Sequence, residues 1–254
     1  MPRRLVPRIA RLPHRHVVHA TQPASLNGSA QRRPSPDERV YAAIHAAVQE
    51  MRLEPGVKLK EVELTELFQV SRASVRTALH RLAHKGILQL APNRGASVAK
   101  PSADECRQIL ESRLALEGMV IEVLARSPGA AAVKALRAHV RAQKRAFKAG
   151  DTAEGHRLAI AFHRLLAQLC GNRVLAELLD DLLSRMPLIV LTHGAKRASG
   201  EATHADHIDL VEAIAGGDIE RGRSILKLHL QALQDELDLG APPSRKTLRQ
   251  MLQR

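Results

Sequence analysis

The sequence predicts a mainly α-helical protein, with an N-terminal winged helix-turn-helix of three helices and a β-hairpin wing, followed by an all-helical bundle. Apolar residues recur at helical spacing through most of the chain from residue 36 to residue 239. The only strand-like patterns flank a turn at residues 92–95. A net charge of +13 at pH 7 indicates a polyanionic partner, either nucleic acid or an acidic membrane surface.

Breaks rich in Gly, Pro and Ser divide the chain into four segments. Residues 1–34 hold seven arginines and no acidic residue, so we expect a disordered basic arm. This arm either adds non-specific affinity for DNA, or is a solvated tail or the product of a start codon assigned too early. Residues 35–101 form the predicted winged helix-turn-helix, residues 102–240 the helical domain, and residues 241–254 a C-terminal tail.

The winged unit begins with a well-marked first helix. Ser35 and Glu38 have the spacing of a capping box, and Pro36 suits the first helical position. A Pro-Gly pair ends the helical pattern, and a short second helix follows at about residues 62–68.

The third helix and the wing complete this unit. Ser71 is the expected N-cap of a helix over about residues 72–85, and Gly86 ends it. Two short apolar runs, at residues 87–90 and 96–99, predict the two strands of the hairpin.

The second unit has only helical patterns. Ser102 and Glu105 have the spacing of a second capping box. Pro187 lies inside the fourth pattern and is expected to kink or split it. The six predicted helices cover approximately residues 102–126, 128–149, 151–170, 173–192, 200–216 and 218–239.

The third helix and the wing are strongly cationic, since no acidic residue occurs from Ser71 to Ala103. Arg72 and Arg76 lie on the helix face opposite its apolar stripe, where arginine can pair with guanine in a major groove. The short polar side chains of the helix suit phosphate or base contacts, and the wing tip is placed to reach the backbone or minor groove. These further candidates are Ser71, Ser74, Thr77, Arg94 and Gly95.

The winged unit resembles the GntR family of bacterial regulators over about 65 residues. The resemblance is carried by "PGVKLKEVELTELFQVSRASVRTALHRLAHKGILQLAPNRGASV", with its Pro-Gly turn, its Ser-Arg-x-x-Val-Arg-x-Ala-Leu helix and its Asn-Arg-Gly wing. Ala73 and Thr77 depart from the usual family residues. The resemblance implies that Arg72, Arg76, Arg94 and Gly95 contact an operator.

The helical domain resembles the FCD ligand-binding domain of the FadR subfamily. The segments that carry the resemblance are "RLALE" at 113–117, "FHRLLAQLCGNRVLAELL" at 162–179, "HIDLVEAIAGGD" at 207–218 and "KLHL" at 227–230. Six helices rather than seven favour a VanR-like branch.

Three histidines lie on apolar stripes of three different predicted helices: His163, His207 and His229. Each alone is typical of a hydrogen-bonded core histidine, but together they can bind a divalent metal such as zinc or nickel. The resemblance implies a metal site of one Asp and three His, but the Asp position holds Ala159. Water or an effector carboxylate would then complete the shell, with His156 a weaker substitute.

Two further positions bear on ligand binding. Arg113 matches an arginine that faces the effector pocket of the family, where its planar fork suits a small organic acid. The alternative is a surface pair between Arg113 and Glu117, one turn apart. His204 is expected to be exposed.

Together with the resemblance, these patterns predict a homodimeric, cytoplasmic transcriptional regulator whose affinity for a double-stranded operator responds to a small organic acid. Because repression is the commoner outcome in the family, we expect a repressor. Scarce aromatic residues argue against single-stranded nucleic acid. Two separated cysteines suit a reducing compartment, and no run of apolar residues is long enough for a membrane span. The alternatives are a non-specific architectural DNA-binding protein and a metal-dependent hydrolase with a three-His site, although the sequence offers no matched general base and we expect no enzyme.

Overall fold

The computed structural model describes residues 33–91, 95–194 and 200–240. The C-terminal tail and residues 1–32 of the basic arm lie outside the described residues, so the prediction of a disordered arm remains a prediction.

The N-terminal part, which we call the head (residues 36–98), contains three helices and three strands. They are α1 (Pro36–Gln49), β1 (Lys58–Leu59), α2 (Glu61–Phe68), α3 (Arg72–His84), β2 (Leu88–Ala91) and β3 (Gly95–Val98). The predicted capping box of α1 is present, since the Ser35 hydroxyl accepts from the Glu38 amide and the Glu38 carboxylate accepts from the Ser35 amide. This confirms the winged helix-turn-helix.

The wing is a three-stranded antiparallel sheet rather than the two-stranded hairpin that the sequence predicts. Its strand order is β1-β3-β2, so β3 lies in the centre, and Leu59 pairs with Ala96. The extra strand has two residues, which is too short for the alternating pattern on which sequence-based recognition of a strand depends.

The C-terminal part is an all-helical bundle, as predicted. Its helices are α4 (Ala103–Arg126), α5 (Ala130–Lys148), α6 (Thr152–Leu169), α7 (Arg173–Leu183), α8 (Met186–His193), α9 (Gly200–Ala215) and α10 (Ile219–Glu236). No helix among the described residues is both long and apolar enough to cross a membrane.

The described part of the bundle has seven helices, so the expected count of six was wrong. The fourth predicted helix is divided into α7 and α8 by a turn at Ser184 and Arg185. Pro187, which lacks a backbone N–H, lies in the first turn of α8, where no intrahelical donor is needed. The suggestion of a VanR-like branch therefore loses its basis.

The second predicted capping box is only half formed. Ser102 caps α4 by accepting from the Glu105 amide. The Glu105 carboxylate instead lies 3.5 Å from the guanidinium of Arg185, at the start of α8.

Helix α8 belongs to both parts of the molecule. Leu188 is fully buried in the hydrophobic core of the head, beside residues such as Val40 and Leu82. Met186 and Ile189 of the same helix are buried in the larger core of the bundle. The head and the bundle are therefore joined by apolar packing as well as by the chain.

Polar contacts reinforce this junction. The Gln49 amide at the end of α1 donates to the Ser184 carbonyl (2.9 Å) and accepts from Arg164 of α6 (2.9 Å). Lys85, at the end of α3, contacts Asp181 of α7 at 2.6 Å. The Lys85 carbonyl accepts from Arg185 at 3.0 Å.

We expect Leu188→Ala to lower the free energy of unfolding by about 2–5 kcal/mol, because it leaves a cavity in a packed core. The matched control is Leu178→Ala on α7, where the side chain is 52% exposed and the change is expected to be small. Urea unfolding measures both. Equal midpoints for Leu188→Ala and the wild type would contradict the place of α8 in the core of the head.

Candidate functional site

The cationic face of α3 is open to solvent. Arg72, Arg76 and His80 are all exposed, while Val75 and Leu79 of the opposite face are buried in the core of the head. The helix is therefore held by its apolar side and presents its basic side outward, as the sequence predicts.

The polar residues at the start of α3 make local hydrogen bonds. The Ser71 hydroxyl caps the helix by accepting from the Ser74 amide at 3.1 Å and lies 2.9 Å from the Ser74 hydroxyl. The Thr77 hydroxyl donates to the Ala73 carbonyl at 3.0 Å. All three hydroxyls lie at the surface of the helix, and their predicted DNA contacts remain a prediction.

Arg76 has an acidic neighbour that the sequence analysis did not identify. Its Nε lies 3.7 Å from a carboxylate oxygen of Glu61 at the start of α2, and the Arg76 side chain is 64% exposed. This pair is long and solvated, so it holds Arg76 only weakly. Gly95 begins β3 with a φ of +77°, a conformation that favours glycine, and Arg94 lies outside the described residues.

The three predicted histidines come together in the bundle. His163 of α6, His207 of α9 and His229 of α10 are all buried, and their ring centroids lie 5.0–5.3 Å apart. One nitrogen of each ring lies within 4.8 Å of the corresponding nitrogens of the other two. We call these three residues the histidine cluster.

A second set of side chains orients the rings. The Nδ1 atom of His163 lies 2.6 Å from Glu117, that of His207 lies 2.9 Å from Gln143, and that of His229 lies 3.1 Å from Asp206. Each partner atom is an oxygen acceptor, so each Nδ1 carries a proton, and a neutral ring in this tautomer keeps the lone pair of its Nε2. This arrangement is typical of histidines that ligate a metal through Nε2.

The electrostatics agree with neutral imidazoles. Burial lowers the pKa of His163 to about 4, against the opposing effect of Glu117, and burial also lowers the pKa of His207. Burial would raise the pKa of Glu117, but Arg113 and His163 outweigh it and lower that pKa to about 2. Glu117 is therefore a carboxylate at neutral pH, and His163 is uncharged.

Arg113 and Glu117 do form a pair one turn apart, but both are buried, so the alternative of a surface pair is wrong and Arg113 lines the cavity described below. The Arg113 Nε donates to Glu117 at 2.7 Å, and the two side chains are only 2% and 3% exposed. The same carboxylate accepts from His163 through its other oxygen. Arg113, Glu117 and His163 thus form one continuous buried network.

A cavity of about 90 Å³ adjoins the histidine cluster. Its polar lining includes Arg113, His163, His229 and Glu236, and its apolar lining comes from α6, α8 and α10. Met51, which follows α1 in the head, also lines it. The volume suits a few waters or a small organic molecule.

The cluster fits a metal ion. The Nε2 atom of His207 is buried and has no hydrogen-bond partner among the described residues, which is costly unless the lone pair is used. Ala159 lines the cavity one turn before His163, and no carboxylate joins the cluster in the described part of the chain. The buried three-His cluster can therefore hold a metal, with no acidic ligand at the usual position.

Several functional residues escaped the sequence analysis. Gln143 interrupts the apolar stripe that contains Leu136 and Val140, and that interruption was a usable signal. Asp206 gives no such signal in the sequence, because a half-buried aspartate next to a histidine does not interrupt an apolar stripe. His204 is 8% exposed, so the expectation that it is exposed was wrong.

Together, the winged helix-turn-helix and the helical bundle with its lined cavity define a DNA-binding transcriptional regulator. Comparison with known families agrees, because residues 36–98 match the family described as "Bacterial regulatory proteins, gntR family" and residues 108–232 match the FCD domain. The chain belongs to the GntR family of transcriptional regulators and carries an FCD domain of the FadR-like subfamily. It is a regulator and not an enzyme, which excludes the hydrolase alternative.

Relatives and solved structures agree with this assignment. The chain is 23% identical over 201 residues to the HTH-type transcriptional repressor RspR of Escherichia coli K12, covering 79% of this chain and 88% of RspR. It is 28% identical over 242 residues to the repressor NanR of Salmonella newport, covering 83% and 90%. A GntR regulator from Rhodococcus sp. RHA1 has the same fold at 21% identity, with a TM-score of 0.72, covering 81% of this chain and 98% of that one.

Proposed function

We propose that this protein is a homodimeric repressor whose affinity for a specific DNA operator is set by a small organic acid bound beside a divalent metal in the histidine cluster. The support comes from the connection between the cavity and the head. The names of two relatives, RspR and NanR, describe them as repressors, which favours repression here.

The observation that carries the proposal is that α8 and the end of α1 both line the cavity and belong to, or pack into, the head. Met186 and Val190 of α8 line the cavity, while Leu188 of the same helix lies in the core of the head. Met51 reaches the cavity from the end of α1. Its backbone φ is 55°, a conformation that is unfavourable for any residue other than glycine. A ligand that displaces Met51 or α8 therefore acts directly on the orientation of α3.

The histidine cluster supports binding of a metal and an acid together. Imidazole ligands suit zinc, nickel and similar ions, and a bound ion would supply a positive centre for an anionic ligand. Because Ala159 offers no carboxylate, the effector's own carboxylate would take that place. Arg113 lines the same cavity and offers nitrogens that Glu117 does not use.

The exposed face of α3 supports operator binding. Arg72 and Arg76 lie in the first two turns, the part of a recognition helix that enters the major groove. A DNA phosphate or base would replace Glu61, the weak partner of Arg76, during binding. Arg94 and Gly95 of the wing are assigned to backbone or minor-groove contacts by family resemblance.

Exposed apolar side chains on the solvent side of α4 support a dimer. Leu114, Met119 and Val123 are each at least one-third exposed, and Gly118 between them has open space beside its Cα. Such a face suits a second copy of the chain, because a two-fold interface pairs one patch with itself. Two copies would present two α3 helices to successive major grooves of a near-palindromic operator.

The first test addresses DNA recognition. We expect Arg72→Ala and Arg76→Ala each to weaken operator binding by about 1–3 kcal/mol and to relax base preference. Mobility shifts on the protein's own upstream region and on a scrambled duplex provide the measurement. Arg137→Ala, which removes an exposed arginine of the bundle, is the matched control.

Two outcomes would contradict this part of the proposal. Wild-type affinity in both α3 variants would show that α3 is not the reading helix. Equal binding of wild-type protein to the operator and to the scrambled duplex would favour the architectural alternative.

The second test addresses the metal. We expect protein purified without chelator to hold a divalent ion, and Asp206→Ala to lower its affinity by about 10–100-fold because His229 loses its orienting acceptor. Elemental analysis and competition with a chelating dye for Zn²⁺ and Ni²⁺ measure this. Asp209→Ala, on the exposed side of α9, is the control. A metal-free wild type, or equal affinity in the two variants, argues against the site.

The third test addresses the dimer. Light scattering of the wild type is expected to give twice the mass of one chain, and Met119→Asp is expected to shift it toward the monomer because a charge would be buried at the interface. Val174→Asp, at another exposed apolar position, is the control. If the Met119→Asp protein stays dimeric, the dimer interface does not include this part of α4.

A further inference from the structure

Glu236 places an unpaired carboxylate in the wall of the cavity. It is half-buried at the C-terminal end of α10, and no hydrogen bond or ion pair of its side chain is found with any described residue. Burial raises the pKa of Glu236, whereas the nearest opposing influence is His229. The C-terminus of a helix carries partial negative charge, so the end of α10 adds to the preference of Glu236 for a positively charged partner.

Glu236 does not replace the carboxylate missing at Ala159. His229 and Glu236 are seven residues apart on one face of α10, which separates their Cα atoms by roughly 10 Å along the helix axis. Glu236 is also not among the residues whose ligand atoms gather within 4.8 Å in the cluster. It therefore lines the cavity without belonging to the histidine cluster.

The cavity thus has two poles of opposite charge preference. With a divalent ion bound at the histidine cluster, that ion and the free nitrogens of Arg113 would favour an anion at one end. Glu236 and the helix C-terminus favour a cation or a hydrogen-bond donor at the other. The rest of the lining includes the apolar side chains of Ile160, Val190 and Leu233, and Leu233 lies between His229 and Glu236 on α10.

We propose that the effector is an amino acid-like molecule whose carboxylate binds at the histidine cluster and Arg113 and whose amino group, carried at the far end of a short apolar chain, binds Glu236. This inference rests on the proposed function and specifies the chemical class of the effector. The carboxylate of the ligand makes it an organic acid that the histidine cluster and Arg113 can bind. Glu236 favours an amino group at the other end of the ligand over a second carboxylate or a methyl group.

The test compares matched acids on the metal-loaded full-length protein. The probes are γ-aminobutyrate and ε-aminohexanoate, their unsubstituted counterparts butyrate and hexanoate, and the dicarboxylates succinate and adipate. Isothermal titration calorimetry gives each affinity. For at least one chain length, we expect the amino acid to bind about tenfold or more tightly than both counterparts, as a charge-assisted hydrogen bond provides.

Variants at position 236 identify the residue responsible. Glu236→Gln is expected to abolish the preference for the amino group, and Glu236→Lys to reverse it in favour of the dicarboxylate. Asp235→Asn, on the exposed neighbour, is expected to leave the preference unchanged. Melting curves of all variants establish that they are folded.

Three results would overturn the inference. Plain acids or dicarboxylates that bind the wild type as tightly as the amino acids would reject the role of Glu236 while leaving the proposed organic-acid site intact. A preference that survives in Glu236→Gln would do the same. Failure of every probe to bind the metal-loaded wild type would count against both the inference and the acid site.

Discussion

The buried network of hydrogen bonds around the Glu117 carboxylate is the interaction on which the candidate metal site of the bundle depends. An isolated carboxylate in a protein interior is strongly unfavourable, but this one accepts from the Arg113 guanidinium and from the His163 imidazole. The same two hydrogen bonds hold Arg113 against the cavity wall and direct the His163 Nε2 toward His207 and His229. Removing Glu117 would therefore disturb both Arg113, which we propose binds the effector's carboxylate, and the geometry of the histidine cluster.

The sequence predicted features that depend on local periodicity and missed those that depend on how distant faces meet. Ser35 and Ser71 cap their helices as expected, because capping involves residues within one turn. The histidine stripes were visible for the same reason, and the cluster was anticipated by family resemblance. The link from Arg113 through Glu117 to His163 and the approach of Met51 to the cavity were not visible, because both result from the packing of elements far apart in the sequence. The division of α7 from α8 followed from Pro187, but its position required the structure.

Helix α8 gives the proposed regulation a physical route. Allosteric coupling is typically about 1–3 kcal/mol, which is comparable with rearranging a few contacts at one interface. The junction contains such contacts in Gln49, Arg164 and Lys85, which are only partly buried, and in Leu188, which is fully buried. The polar contacts can exchange with water at little cost, whereas Leu188 keeps the two parts together. In the proposed regulation, a ligand would change the angle of the head without detaching it.

The alanine at position 159 gives the proposed site a distinct electrostatic character. With three neutral imidazoles and no carboxylate ligand, a divalent ion would keep its full charge, partly offset by Glu117 and Asp206 through the imidazoles. A site that contains its own carboxylate already has that charge reduced, so an anionic effector gains less by binding there. In this chain the effector would supply the missing negative charge itself. Occupancy of the metal by an anion and a change in the cavity wall formed by Met51 and α8 would then be one event.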